Sequence, residues 1–125
     1  MKIYCDGSGF NGQVSKWCVV LEDGTVKKGI IRENKTNNQM EYKALLNALK
    51  LAKKGDTIYT DSRLLEGQVM KNWKVNAEHL LSLVIQAKQL VKEKQIKIIW
   101  IPREKNLAGN ILDGLKNKRS MKNER

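Results

Sequence analysis

The chain has 125 residues, 41% of them hydrophobic, with 24 Lys+Arg against 13 Asp+Glu and a formal net charge of +11. That length fits one domain with a real core, and the apolar fraction argues against a disordered basic tail. No stretch approaches 18 apolar residues, and the opening MKIYCDGSGF carries no hydrophobic signal segment, so a cytoplasmic or otherwise reducing compartment is expected. Lys116 to Arg125 contributes five positive charges and one negative, leaving +7 on the remainder, so the basic character is not confined to the C-terminus. Such a balance favours an anionic polymer as partner, with nucleic acid ahead of membrane.

In chain order, KIYCD reads as a strand, DGSGFNGQ as a turn, and KWCVVLEDGTVKKGIIR as two strands joined at Asp23-Gly24. From Met40 the period changes: Met40, Ala44, Ala48 and Ala52 recur every four residues, Leu45 and Leu49 widen the stripe, and Gly55 stops the helix. DTIYTD is a short strand, and SRLLEGQVM a short helix broken near Lys71 to Val75. Asn76 is the expected cap of a long helix through about Lys94, with Leu80, Val84, Ala87 and Val91 on one face. IKIIWI is apolar at nearly every position, as in a strand buried on both sides. Pro102 ends it, and a last helix from about Asn106 is expected to turn Leu107, Ile111 and Leu115 inward, with a fraying tail beyond Lys116. Cys5 and Cys18 lie in apolar strands and read as core thiols, Trp17 and Trp100 as core, and His79 as a packing or surface residue. The order predicts an α/β fold, a mixed sheet with helices on both faces.

Within this frame Asp6, Glu41 and Asp61 fall at a strand end, in the first turn of the strong helix and at a later strand end. Carboxylates converging in a basic protein are most simply a divalent-metal site facing a phosphate backbone. Each has a local alternative. Asp6 suits a turn into Gly7-Ser8, Glu41 suits the N3 position of a capping box opening at Asn38, and Asp61 suits an N-cap of the helix starting at Ser62.

CDGS, TNNQMEYKALLNAL, YTDS, NWKVNAEHLL and WIPREKN with its following helix, in that order, resemble the successive motifs of the type 1 ribonuclease H family across residues 1–115. The resemblance implies a mixed five-stranded sheet with helices on both faces, residues 116–125 being a basic tail. It implies a metal-dependent endonuclease that hydrolyses the RNA strand of RNA/DNA hybrids with little sequence preference, leaving 5′-phosphate and 3′-hydroxyl ends. The implied cofactor is a pair of Mg²⁺ ions, with Mn²⁺ as an alternative; Asp6 would bridge both, and Glu41 and Asp61 would support the ion nearer the leaving oxygen. The fourth position departs from the pattern. The family's aspartate falls on Asn110, with Asp113 one helical turn later as a shifted candidate. The loop histidine usual in the family is missing from PREKN, leaving Arg103 or Glu104 as weak substitutes.

For the substrate, the resemblance places Thr36 near a DNA phosphate, Asn11, Asn38 and Arg63 near the minor groove, and the backbone at Asn37 against 2′-hydroxyls. Small amides and hydroxyls suit that task without demanding a base sequence. Lys71, Trp73 and Lys74, with Lys88 nearby, correspond to the family's hybrid-binding handle. The implied partner is an RNA/DNA hybrid, with double-stranded RNA as a second class and no membrane or obligate protein partner. Asn110 and the missing histidine keep a second expectation open, a hybrid or duplex-RNA binding module with an impaired centre. An assembly domain of replication is a third, weaker one.

Overall fold

The computed structural model describes residues 1–114, so Leu115 and the expected tail from Lys116 lie outside the described residues. Five strands, β1 (Lys2–Ser8), β2 (Ser15–Leu21), β3 (Val26–Ile31), β4 (Thr57–Thr60) and β5 (Lys97–Trp100), form one sheet in the order β3-β2-β1-β4-β5. The β1-β2 and β2-β3 pairs are antiparallel, while β1-β4 and β4-β5 are parallel, which gives the expected mixed sheet. The helices are α1 (Asn37–Leu51), α2 (Arg63–Met70) and α3 (Glu78–Lys94), followed by a 3₁₀ turn (Arg103–Lys105) and a last helix described over residues 107–114. No described helix is long and apolar enough to cross a membrane.

Alternation along the strands divides the core. Ile3, Cys5, Val19, Ile58 and Ile98 face one side, where they pack with Leu45, Ala48 and Leu49 of α1, Leu65 and Val69 of α2, and Leu80, Val84 and Ala87 of α3. Cys18 and Val20 face the other side, under Ala108 and Leu112 of the last helix, with Tyr4 against them. Both cysteines are free, buried thiols, and burial pushes Cys18 up to about 11.

Several local expectations are corrected. β1 does not end at Asp6. Gly7 and Ser8 stay in the strand because they pair with Trp17 and Lys16 of β2, so tertiary pairing overrides the turn propensity of Gly-Ser. β5 is an edge strand, with Ile98 buried but Ile99 42% exposed, so it is covered on one face only. The last helix is rotated from the expected phase: Ala108 and Leu112 are buried and Ile111 half-buried, whereas Leu107 points outward at 46% exposure. The N-cap of α3 is Ala77, without a side-chain cap, and not Asn76. Trp17 and Trp100 are half-buried at the edges of the core, and His79 is exposed.

Gly7 is required by packing. A Cβ there would lie 2.1 Å from the carbonyl carbon of Met40, so only glycine lets the second turn of α1 come down onto β1. That approach places Glu41 beside Asp6.

Candidate metal centre and nucleic-acid surface

Thr36 caps α1, accepting from Gln39 N while the Gln39 side chain accepts from Thr36 N. The box therefore runs from Thr36 to Gln39, and Glu41, in the second turn, is not part of it. Asp61 is not the cap of α2 either; Ser62 is, accepting from Leu65 N at 3.1 Å. Asp6 lies within a strand, paired with Cys18. None of the three acids has the local capping role open to it in the sequence.

Together they do something else. Asp6, Glu41 and Asp61 each present an oxygen, and these oxygens lie within 4.8 Å of one another. Asp6 is fully buried and Glu41 is 8% exposed. Burial, followed by the Asp6 charge and hydrogen bond and the Asp61 charge, pushes Glu41 up to about 10. Asp6 is raised by burial and by Asp61, against the lowering influence of its hydrogen bond to Glu41 and of Arg103. Glu41 Oε2 is the one buried side-chain oxygen without a hydrogen-bond partner among the described residues. An unpartnered carboxylate oxygen beside two further carboxylates is the donor set of a hard divalent ion, so the residues fit the metal that the sequence suggests.

A stability prediction follows from Glu41. Its folded-state value of about 10 lies above the ordinary 4.5, so the folded protein retains a proton that the unfolded chain gives up between those values. The contribution of Glu41 to the stability of the metal-free protein is fully present below about 4.5 and is lost as pH rises toward 10. Denaturant midpoints across that range should drop for the wild type, and the Glu41→Gln protein should lose most of this slope. Equal slopes would show that Glu41 ionises freely in the fold.

The fourth position does not join the cluster. Asn110 is exposed, and its side-chain amide donates to Glu104 O at 3.3 Å. Asp113, one turn on, is half exposed and is not among the clustered acids, but it is joined to them through Arg103. Arg103 Nη1 donates to both oxygens of Asp6 at 2.9 Å and to Asp61 Oδ2 at 3.1 Å, while Nη2 and Nε grip Asp113 at 2.9 and 3.3 Å. Burial alone would lower the guanidinium's value, but the hydrogen bond to Asp113 and the charges of Asp6 and Asp61 more than offset that and raise it. Arg103, treated in the sequence as a weak histidine substitute, is the main cationic contact of the centre.

Asn106 is a second contributor to the centre whose carboxylate contact has no local sequence signal. It is fully buried, and its amide donates to Cys5 O at 3.0 Å and to Asp61 Oδ2 at 2.9 Å, tying the last connection to β1 and orienting Asp61. Its Oδ1 accepts from Ala108 N, so the signal was an Asn directly before a helix, which suggests capping but not the carboxylate contact.

The residues expected at the substrate fall into groups. Asn37 Oδ1 accepts from Gly9 N at 2.7 Å and Phe10 N donates to Lys35 O, so the first loop is tied to the start of α1 and brings Asn11 toward Thr36, Asn37 and Asn38, all exposed. Asn11 Oδ1 is engaged by Gln13 N and Val14 N, which shapes the loop. Arg63 stacks on Trp100 at 3.7 Å, and Trp100 donates to Asp61 O, so Arg63 is held beside the centre. Lys71, Trp73 and Lys74 form the turn between α2 and α3, where Asn72 is left-handed and accepts from Lys88. Trp73 is 46% exposed and lies over Gly67, where a Cβ would come within 2.2 Å of its ring. Lys71 pairs with Glu66 at 3.4 Å.

Residues 1–118 match the RNase H family profile. The chain belongs to the ribonuclease H family. A ribonuclease H of Caldicellulosiruptor saccharolyticus is 38% identical over 76 residues, 57% of this chain and 52% of that protein. The bifunctional protein Rv2228c of Mycobacterium tuberculosis is 36% identical over 88 residues, 62% of this chain and 24% of that protein. The chain thus spans about half or less of these curated relatives. Among solved structures, the N-terminal RNase H domain of Rv2228c from Mycobacterium tuberculosis, solved as a fusion with maltose-binding protein, superposes with a TM-score of 0.74 at 27% identity, covering 94% of this chain and 96% of that one. RNase H1 of the halophilic archaeon Halobacterium salinarum gives 0.67 at 28%, covering 90% and 97%. LC11-RNase H1, solved in complex with an RNA/DNA hybrid, gives 0.70 at 28%, covering 85% and 88%. The ribonuclease H fold is therefore shared over most of the chain, while among the described residues the acid cluster has three members, with asparagine at the fourth position.

Proposed function

We propose that this ribonuclease H family protein binds RNA/DNA hybrids, with duplex RNA as a weaker substrate class, and that its metal-dependent hydrolysis of the RNA strand is impaired. The observation that carries this reading is the divided centre: Asp6, Glu41 and Asp61 converge, while Asn110 faces the Glu104 carbonyl and brings no charge to the cluster. The hybrid complex of LC11-RNase H1 and the +11 charge of this chain support the choice of ligand.

Asp6, Glu41 and Asp61 would hold Mg²⁺ or Mn²⁺, which supplies charge stabilisation at a phosphodiester and activation of water. The chain's own contributions are separable from that chemistry. Gly7 seats Glu41 next to Asp6, Asn106 fixes one oxygen of Asp61, and the Arg63-Trp100 stack holds a cation beside the site. Thr36, Asn37, Asn38 and Asn11 form a small, exposed polar surface suited to sugar and groove edges, with Lys71, Trp73 and Lys74 as a second contact along the backbone.

A second reading, a fully competent endonuclease, is favoured by the unpartnered Glu41 Oε2 within the retained cluster. Binding and cleavage of labelled hybrid, duplex RNA and duplex DNA with and without Mg²⁺ separate the two. Hybrid binding with slow cleavage supports the proposal, fast cleavage of the RNA strand supports the second reading, and equal handling of all three duplexes defeats both.

The handle gives a further test. Trp73→Ala should weaken hybrid binding by about 1 kcal/mol through lost stacking. Lys74→Ala should reduce the salt slope of binding by about one. Lys71, paired with Glu66, should matter less than Lys74. Fluorescence anisotropy over a salt series measures all three, and unchanged affinity in the triple variant would remove this turn from the interface.

A further inference from the structure

The guanidinium of Arg103 occupies the oxygens that a metal needs. One nitrogen takes both oxygens of Asp6 and one of Asp61, two of the three clustered carboxylates, while the rest of the fork is held by both oxygens of Asp113. Room for this arrangement comes from Gly109, where a Cβ would sit 3.3 Å from Arg103 Cζ and from Asp61 Oδ2. Arginine does not give up its proton in a protein, so its positive charge remains wherever it goes. A divalent ion taking the same oxygens must therefore displace Arg103. Its side chain is 44% exposed, which leaves it a way out toward solvent.

We propose that Arg103 is the resident counter-ion of this centre in the metal-free protein, that Asp113 is the positioning residue holding it there, and that metal binding is an exchange of Arg103 for the ion. This rests on reading Asp6, Glu41 and Asp61 as the metal site. The exchange gives Asp113 a purpose that does not require it to be a displaced metal ligand. It also gives the centre charge compensation without a filled fourth position: buried carboxylates repel one another, and a cation locked among them relieves that repulsion. A charge-assisted fork on Asp113 costs little additional ordering because the guanidinium is planar and already fixed by Asp6 and Asp61.

The sign of one variant's effect distinguishes exchange from ordinary electrostatics. Removing the negative charge of Asp113 should weaken attraction for a cation if charge alone matters, but should strengthen metal binding if Asp113 acts by holding the competitor in place. The test is a calorimetric titration of substrate-free protein with Mn²⁺, checked by the electron paramagnetic resonance signal of free Mn²⁺, for wild type, Arg103→Gln, Arg103→Lys, Asp113→Ala and Asp61→Asn. Arg103→Gln should tighten binding about tenfold, the scale of one opposite charge next to a carboxylate. Arg103→Lys, which keeps the charge but cannot span Asp6, Asp61 and Asp113, should fall between it and the wild type, and Asp113→Ala should tighten binding about threefold. Circular dichroism melts confirm folding of each variant; both exchanged side chains are partly exposed, and Arg103→Lys serves if Arg103→Gln does not fold. Weaker or unchanged binding in Asp113→Ala, or no tightening in Arg103→Gln, overturns the exchange. If Asp61→Asn leaves Mn²⁺ binding intact, or no variant binds the ion, the metal-site reading itself fails.

Discussion

Replacing Asp61 by asparagine should lower divalent-ion affinity about 100-fold, equivalent to about 2.7 kcal/mol, and should abolish whatever metal-dependent cleavage of hybrid the proposed function supplies. The expectation follows from geometry. Asp61 supplies one of three oxygens lying within 4.8 Å of one another, and its loss leaves only Asp6 and Glu41, the latter holding a proton at neutral pH in the metal-free protein. The fold should survive, because the remaining amide oxygen can still accept from Asn106, and Asp61 is not the cap of α2. Asp6→Asn and Glu41→Gln should have effects of the same order. Calorimetric Mn²⁺ titrations beside thermal melts check all three; wild-type affinity in any one removes that residue from the centre.

Asn110→Asp should have the opposite effect, raising cleavage of the RNA strand by roughly 100-fold at limiting Mg²⁺, the scale of one electrostatic contribution to a charged transition state. The wild-type amide donates to Glu104 O at 3.3 Å, a long contact, and a carboxylate has no hydrogen to donate there. The new aspartate is therefore released from the carbonyl and repelled by it, free to turn toward the cluster with the charge that asparagine lacks. Single-turnover rates across an Mg²⁺ series check this. Unchanged rates with unchanged metal affinity would show that this position does not reach the reacting phosphate.

Much of the fold was legible because local period and tertiary role agree. The four-residue recurrence of Met40, Ala44 and Ala48 marks a buried face of α1, all three being buried, and Asp23-Gly24 joins β2 to β3 with Gly24 at φ +91°. Where role depends on position in the sheet, sequence was misleading. IKIIWI looks like a central strand, but β5 is at an edge, and apolarity alone does not report how many faces are covered. In the last helix the inward residues include Ala108 rather than Leu107, because close packing on Cys18 and Val20 selects a small side chain. Gly7-Ser8 reads as a turn until β2 is beside it.

The centre divides along the same line. Asp6, Glu41 and Asp61 are legible from their places in the strand and helix order, and they converge from within β1, from the second turn of α1 and from the residue after β4. Arg103 and Asn106 were not assigned their contacts, since Arg103 reaches Asp6 across 97 residues and Asn106 reaches Cys5 across 101, distances over which no local signal operates. The sequence offers both Asn110 and Asp113 for the fourth position, but only side-chain geometry shows one turned to a backbone carbonyl and the other gripping an arginine.

The most direct test of the central claim is a paired binding and single-turnover cleavage measurement on one strand-labelled RNA/DNA hybrid, with all-DNA duplex as reference, in wild type and Asn110→Asp at the same Mg²⁺ and salt. The expected result is preferential hybrid binding by both proteins, slow cleavage confined to the RNA strand in the wild type, and a large rise in the Asn110→Asp protein. Equal binding of hybrid and DNA, or rapid wild-type cleavage that Asn110→Asp does not increase, would contradict it.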